Sequence, residues 1–69
     1  MNNVFIIGVG LIGGSFALDI KQLYSKVAIF GIDKDETHLD DAIKRGVIDY
    51  KAQLKEVSKA DLVILAIPV

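Results

Sequence analysis

The sequence predicts an α/β protein, the first half of a doubly wound parallel sheet. Three observations carry this reading. Apolar runs without polar alternation, at residues 4–7, 27–32 and 62–67, read as strands covered on both faces. Segments of helical spacing stand between them, the pattern of βαβ units. The first run also stops abruptly at Gly8-Val9-Gly10-Leu11-Ile12-Gly13, and a helical pattern begins where the glycines end. That is the turn opening a Rossmann dinucleotide site: Gly8 allows the tight exit from the strand, Gly10 lets a pyrophosphate approach the backbone, and Gly13 lets helix pack closely on strand.

In chain order, a central strand is expected over residues 4–7. A helix over 11–24 follows, with Gly13, Phe16, Ala17, Ile20 and Tyr24 as its buried stripe and Asp19, Lys21 and Gln22 facing solvent. Leu11 and Leu18 fall on another side, flanking Ser15, either partly buried within the same fold or meeting a neighbouring domain or the cofactor. The β-branched and aromatic run 27–32 is the second strand. A second helix begins near residues 33–35, buries Leu39, Ala42 and Ile43, and ends at Gly46 as a left-handed cap. Residues 47–50 suggest a short third strand, 53–59 a brief helix carrying Leu54 and Val57, and 62–67 a fourth strand stopped by Pro68. Short connections and right-handed crossovers give the strand order 3-2-1-4.

Composition narrows the function classes. Eight basic and nine acidic side chains nearly cancel, which removes the electrostatic footprint of a nucleic-acid binder. With no cysteine there is neither a disulfide framework nor a thiolate metal site. The first apolar run is too short for a signal segment or membrane span, so a cytoplasmic protein is the default expectation. The 52% apolar content and the strand-like run at residues 62–67 read as the front part of a larger domain, with the chain taken alone expected to associate through the edge of its fourth strand.

Asp33 closes the second strand about twenty residues beyond the third glycine, where a dinucleotide site places its ribose-binding acid. Its carboxylate can accept hydrogen bonds from both adenosine ribose hydroxyls and repel a 2′-phosphate, favouring NAD over NADP; Lys34 is the one nearby cation opposing that preference. Alternatively, Asp33 caps the second helix, with Glu36 completing the pair. Gly8, Gly13 and Ser15 also match the spacing of a P-loop, but Gly14 stands where the phosphate-binding lysine is required. Ser15 is placed either to reach a phosphate or ordered water, or to bond only to backbone. His38 reads as a solvated helix residue away from the binding rim. No carboxylate pair, metal-ligand cluster or nucleophile–base set is evident, so catalytic and metal-binding residues are not expected among these positions.

The combination of Gly8 through Ser15 (GVGLIGGS) with Phe16-Ala17-Leu18, Gly31-Ile32-Asp33, Ala42 through Gly46, Ile48-Asp49 and the ending ADLVILAIPV resembles the N-terminal part of prephenate dehydrogenases over nearly the whole chain. The resemblance implies oxidative decarboxylation of prephenate to 4-hydroxyphenylpyruvate, or of arogenate to tyrosine, in tyrosine biosynthesis, with NAD as hydride acceptor. It implies cofactor contacts from Gly8, Gly10, Leu11, Ile12, Gly13 and Asp33, with Pro68 and Val69 on the nicotinamide side. The catalytic histidine, the rest of the Rossmann domain and a helical dimerisation domain would lie beyond residue 69, so residues 1–69 alone are expected to be inactive and the intact protein a homodimer. Two alternatives share the glycine turn: another NAD(P)-dependent dehydrogenase of the β-hydroxyacid type, and a non-catalytic NAD-sensing module.

Overall fold

The computed structural model describes residues 2–67; Met1, Pro68 and Val69, and the side chains of Leu11 and Ile12, lie outside the described residues. The elements run β1 (Asn3–Ile7), α1 (Leu11–Leu23), β2 (Ala28–Ile32), α2 (Glu36–Lys44), β3 (Tyr50–Lys51), a 3-10 helix (Leu54–Lys59) and β4 (Leu62–Leu65). All strand pairs are parallel, in the order β3-β2-β1-β4, so β1 is central and the chain reverses direction across the sheet between β1 and β4, as the sequence predicts.

The core explains why β1 is central. Val4, Phe5 and Ile6 are consecutive yet all buried, because side chains alternate between faces and both faces of this strand are covered. On one face Val4, Ile6 and Ile29 cluster with Ala17, Leu39, Ala42 and Ile48, each large side chain contributing about 1.5–3 kcal/mol by leaving water. On the other, the register Phe5↔Phe30↔Tyr50 stacks three rings, with centroids 4.6 and 5.0 Å apart.

Several expectations are corrected. The helix α1 ends at Leu23 and not Tyr24, whose N–H makes the last helical bond to Ile20. Its buried stripe is narrower than predicted: Gly13 and Ala17 are buried and Ile20 half-buried, while Phe16 (45% exposed) and Tyr24 stand outside it. Lys21 does not face solvent freely; its ammonium pairs with Asp49 at 2.7 Å. The strands β1 and β2 begin at Asn3 and Ala28 rather than at Val4 and Val27.

In α2, Leu39 and Ala42 are buried, but Ile43 is 38% exposed, so the core-facing arc of this helix is also narrower. Its C-terminus explains why β3 is shorter than the expected 47–50. Gly46 takes φ +71°, the Val47 N–H reaches back to the Ala42 carbonyl at 2.9 Å, and the Gly46 N–H reaches Ile43 at 3.0 Å, a Schellman closure. Those amides, with that of Ile48, serve the cap and cannot join the ladder. Asp49 then bonds Ile29 through both its N–H and its carboxylate, and strand pairing starts only at Tyr50. Burial works against ionisation of Asp49, yet Lys21 and the Ile29 N–H outweigh it and hold the carboxyl below its ordinary range.

The brief helix predicted over 53–59 is a 3-10 helix capped by Gln53, with Glu56 completing a capping box, and Leu54 is exposed. The fourth strand ends at Leu65 rather than Ile67, because its partner β1 stops where Gly8 turns away; the Ala66 N–H makes the final bond, to Ile7.

Candidate functional site

The glycine turn is built by contacts that a side chain would destroy. Gly8 has φ +92°, a left-handed conformation that disfavours any other residue, and its N–H is held by the Ile32 carbonyl at 2.7 Å. A Cβ on Gly8 would lie 2.9 Å from the Ala66 carbonyl oxygen and 2.8 Å from the Ile67 side chain, so the turn and the end of β4 touch. At Gly13 a Cβ would collide with the Gly8 carbonyl oxygen, which ties the first turn of α1 directly onto the exit of β1.

Gly10 differs from both. It is the N-cap of α1, exposed, at φ −68°, and a Cβ there would meet nothing within 4 Å. The first turn of α1 has no side-chain cap and no acidic residue. Leu11, Ile12 and Gly13 therefore present backbone N–H groups without intrahelical partners at the positive end of a 13-residue helix, a ready anion cradle. Ser15 is exposed in the same turn and lines, with Gly14, a separate hollow of about 330 Å³ between the helices.

Asp33 sits at the end of β2 facing that turn. Its Oδ2 accepts from the Val9 N–H at 3.0 Å and its Oδ1 from the Asp35 N–H at 2.9 Å. The alternative role as helix cap falls to Asp35, which accepts from the Thr37 N–H at 3.0 Å, and Glu36 forms no capping box with Asp33. Burial pushes the Asp33 carboxyl up, but the two N–H groups and His38 outweigh it and hold it below the ordinary carboxylate range. The group is therefore an acceptor only, its side chain 11% exposed at the rim.

One open cleft of about 1010 Å³ joins these parts: Gly8 and Gly10 on one side, Asp33 and Lys34 on another, Ala66 and Ile67 on the third. This is the carboxyl end of the strands at the β1/β4 reversal, where doubly wound sheets take their ligands. Pro68 and Val69 lie outside the described residues, as do the side chains of Leu11 and Ile12. His38 corrects the sequence expectation: it lines the cleft, with Nδ1 3.2 Å from Asp33 Oδ2 and Nε2 3.6 Å from Asp35. Gly31, which the sequence analysis gives no structural role, is a close-approach position: a Cβ there would lie 2.9 Å from Val9 Cγ1 and 2.6 Å from Ile48 Cδ1. A glycine inside a strand was the signal that another chain segment passes close by.

Residues 16–69 match the family described as prephenate dehydrogenase, nucleotide-binding domain. Over 70 aligned residues the chain is 46% identical to the prephenate dehydrogenase of Lactococcus lactis subsp. cremoris (strain MG1363), covering 100% of this chain and 20% of that protein. It is 41% identical to the prephenate dehydrogenase of Bacillus subtilis (strain 168), covering 99% of this chain and 19% of that one. Among solved structures it superposes on prephenate dehydrogenase from A. aeolicus in complex with hydroxyphenyl propionate and NAD+, with TM-score 0.87 and 35% identity, over 99% of this chain and 25% of the other. The chain thus spans about a fifth of the length of the curated relatives it matches.

Proposed function

Because the chain belongs to the family of prephenate dehydrogenase nucleotide-binding domains, we propose that it forms the N-terminal portion of the NAD-binding domain of an enzyme that oxidatively decarboxylates prephenate to 4-hydroxyphenylpyruvate, or arogenate to tyrosine. The observation that carries the reading is the placement, in one cleft, of an open approach over Gly10 opposite the ionised Asp33. Gly8, Gly10 and Gly13 shape the turn, and the N–H groups of Leu11, Ile12 and Gly13 hold the pyrophosphate. Asp33 accepts the hydroxyls of the adenosine ribose and repels a 2′-phosphate, so NAD is preferred to NADP. Pro68 and Val69, outside the described residues, are assigned to the nicotinamide side on the family resemblance alone. When bound, NAD supplies the hydride acceptor for an oxidation in which the substrate loses carbon dioxide.

The ligands of the A. aeolicus relative, NAD+ and a hydroxyphenyl acid, support both the cofactor and an aromatic-acid product class. Proton abstraction from the substrate falls to a histidine outside residues 1–69, within a remainder that completes the Rossmann domain and adds a helical dimerisation domain. The intact protein is then a cytoplasmic homodimer; none of the described helices is long and apolar enough to cross a membrane.

The test is NADH formation by the intact protein given NAD with prephenate or with arogenate. Turnover with one of them is expected, and none with either overturns the assignment. NADP in place of NAD should raise the cofactor KM; a lower KM for NADP would remove the role given to Asp33. Residues 1–69 alone should give no turnover.

A further inference from the structure

The acceptor capacity of Asp33 is nearly used up before any ligand arrives. An ionised carboxylate offers about four lone-pair sites, two on each oxygen. Oδ1 accepts the Asp35 N–H at 2.9 Å; Oδ2 accepts the Val9 N–H at 3.0 Å and faces His38 Nδ1 at 3.2 Å. Since the carboxylate carries no proton, Nδ1 is the donor in that contact.

The two backbone donors are fixed by the fold. Val9 is buried within the glycine turn, and Asp35 is the N-cap of α2. Each leaves one acceptor site on its oxygen. The site on Oδ1 is open, and the site on Oδ2 is taken by His38. A vicinal diol that donates one hydroxyl to each oxygen needs both.

We propose that His38 is a positioning residue that competes with the adenosine ribose for Asp33 Oδ2 and must swing away for the carboxylate to grip both hydroxyls. The inference rests on the ribose-binding role given to Asp33 above. The exchange is within reach of the side chain: His38 lies in the first turn of α2 with its side chain 52% exposed, and Asp35 Oδ2 stands 3.6 Å from Nε2 as an alternative partner. It is also the one side chain among those bonded to Asp33 that is free to move, the other two donors being main chain. Because His38 lines the same cleft, its displaced ring stays at the adenosine end of the site.

The competition predicts a gain of affinity on removing the ring, which a merely structural or aligning role cannot produce. In the full-length protein, titration with NADH followed by fluorescence should show His38→Ala binding about threefold to tenfold more tightly than wild type, the range expected for releasing one hydrogen bond to a charged acceptor at a solvated rim. His38→Asn, which restores an N–H donor at similar reach, should return the affinity toward wild type. In an Asp33→Ala background, His38→Ala should have no effect on affinity. Unchanged or weaker binding by His38→Ala overturns the proposal, as does an equal gain in the Asp33→Ala background. If Asp33→Ala itself leaves NADH affinity untouched, the ribose role of Asp33 fails; if it weakens binding while His38→Ala does not tighten it, the competition alone fails.

Discussion

Gly10 and Gly13 stand three residues apart and answer to different physics, and substitution separates them. Gly10→Ala places its methyl in open space at an ordinary φ, and because alanine is a poorer N-cap than glycine, folding stability should fall by no more than about 1 kcal/mol. If the turn holds the pyrophosphate as proposed, the same methyl obstructs its approach, and NAD affinity should fall by on the order of tenfold. Gly13→Ala drives a Cβ into the Gly8 carbonyl, and backbone cannot give way as a side-chain tip can; a loss of about 3 kcal/mol is expected. Urea unfolding beside cofactor titration of the intact variants checks both, and equal stability losses would show that the glycines are not so divided. Asp49 belongs to the same scale. Its folded-state pKa lies below the unfolded value of about 3.9, so its contribution is present above that pH and lost as pH falls through the folded pKa. Asp49→Asn should therefore lower stability at pH 7 and converge with wild type as the pH drops below about 4, measured by urea unfolding at each pH.

At the level of elements, what the sequence made legible was set by local chemistry. The strand order, the glycine turn and the left-handed cap at Gly46 follow from apolar runs, short connections and backbone positions that favour glycine. What it hid depended on pairings that residue type and spacing do not announce. The shortening of β3 comes from the amides of Val47 and Ile48 closing α2, and the tie from Asp49 to Ile29 spans twenty positions. His38 was misplaced for a related reason. A histidine inside a polar helical stretch carries no mark of the carboxylate five residues earlier, which the turn between β2 and α2 brings back against its ring. The cap itself is testable: Gly46→Ala must hold φ +71° with a Cβ that has free space, so the cost should be conformational alone, about 1 kcal/mol. Thermal unfolding measures it, and a neutral substitution would argue against the Schellman closure.

Across the whole molecule the apolar surface is unevenly covered. The strand β4 has one neighbour among the described residues, and its Val63 and Leu65 (69% exposed), with Ile67 just beyond it, are exposed, as are Phe16, Leu18 and Leu23 on α1. An apolar edge strand of this kind pairs with other chains, so residues 1–69 produced alone should sediment as more than a monomer. A single cooperatively melting monomer would contradict this. The central strand has the opposite character. Its residues Val4, Phe5 and Ile6 are buried and it is hydrogen-bonded on both sides; its last residue, Ile7, is tied to Ala66, and just beyond it Gly8 is tied to Ile32. The glycine turn therefore hangs from the segment whose amides should exchange with solvent last. Fluctuations that fray β3 or the outer side of β4 can come and go while the turn keeps its shape, so cofactor capture need not wait for the periphery to settle.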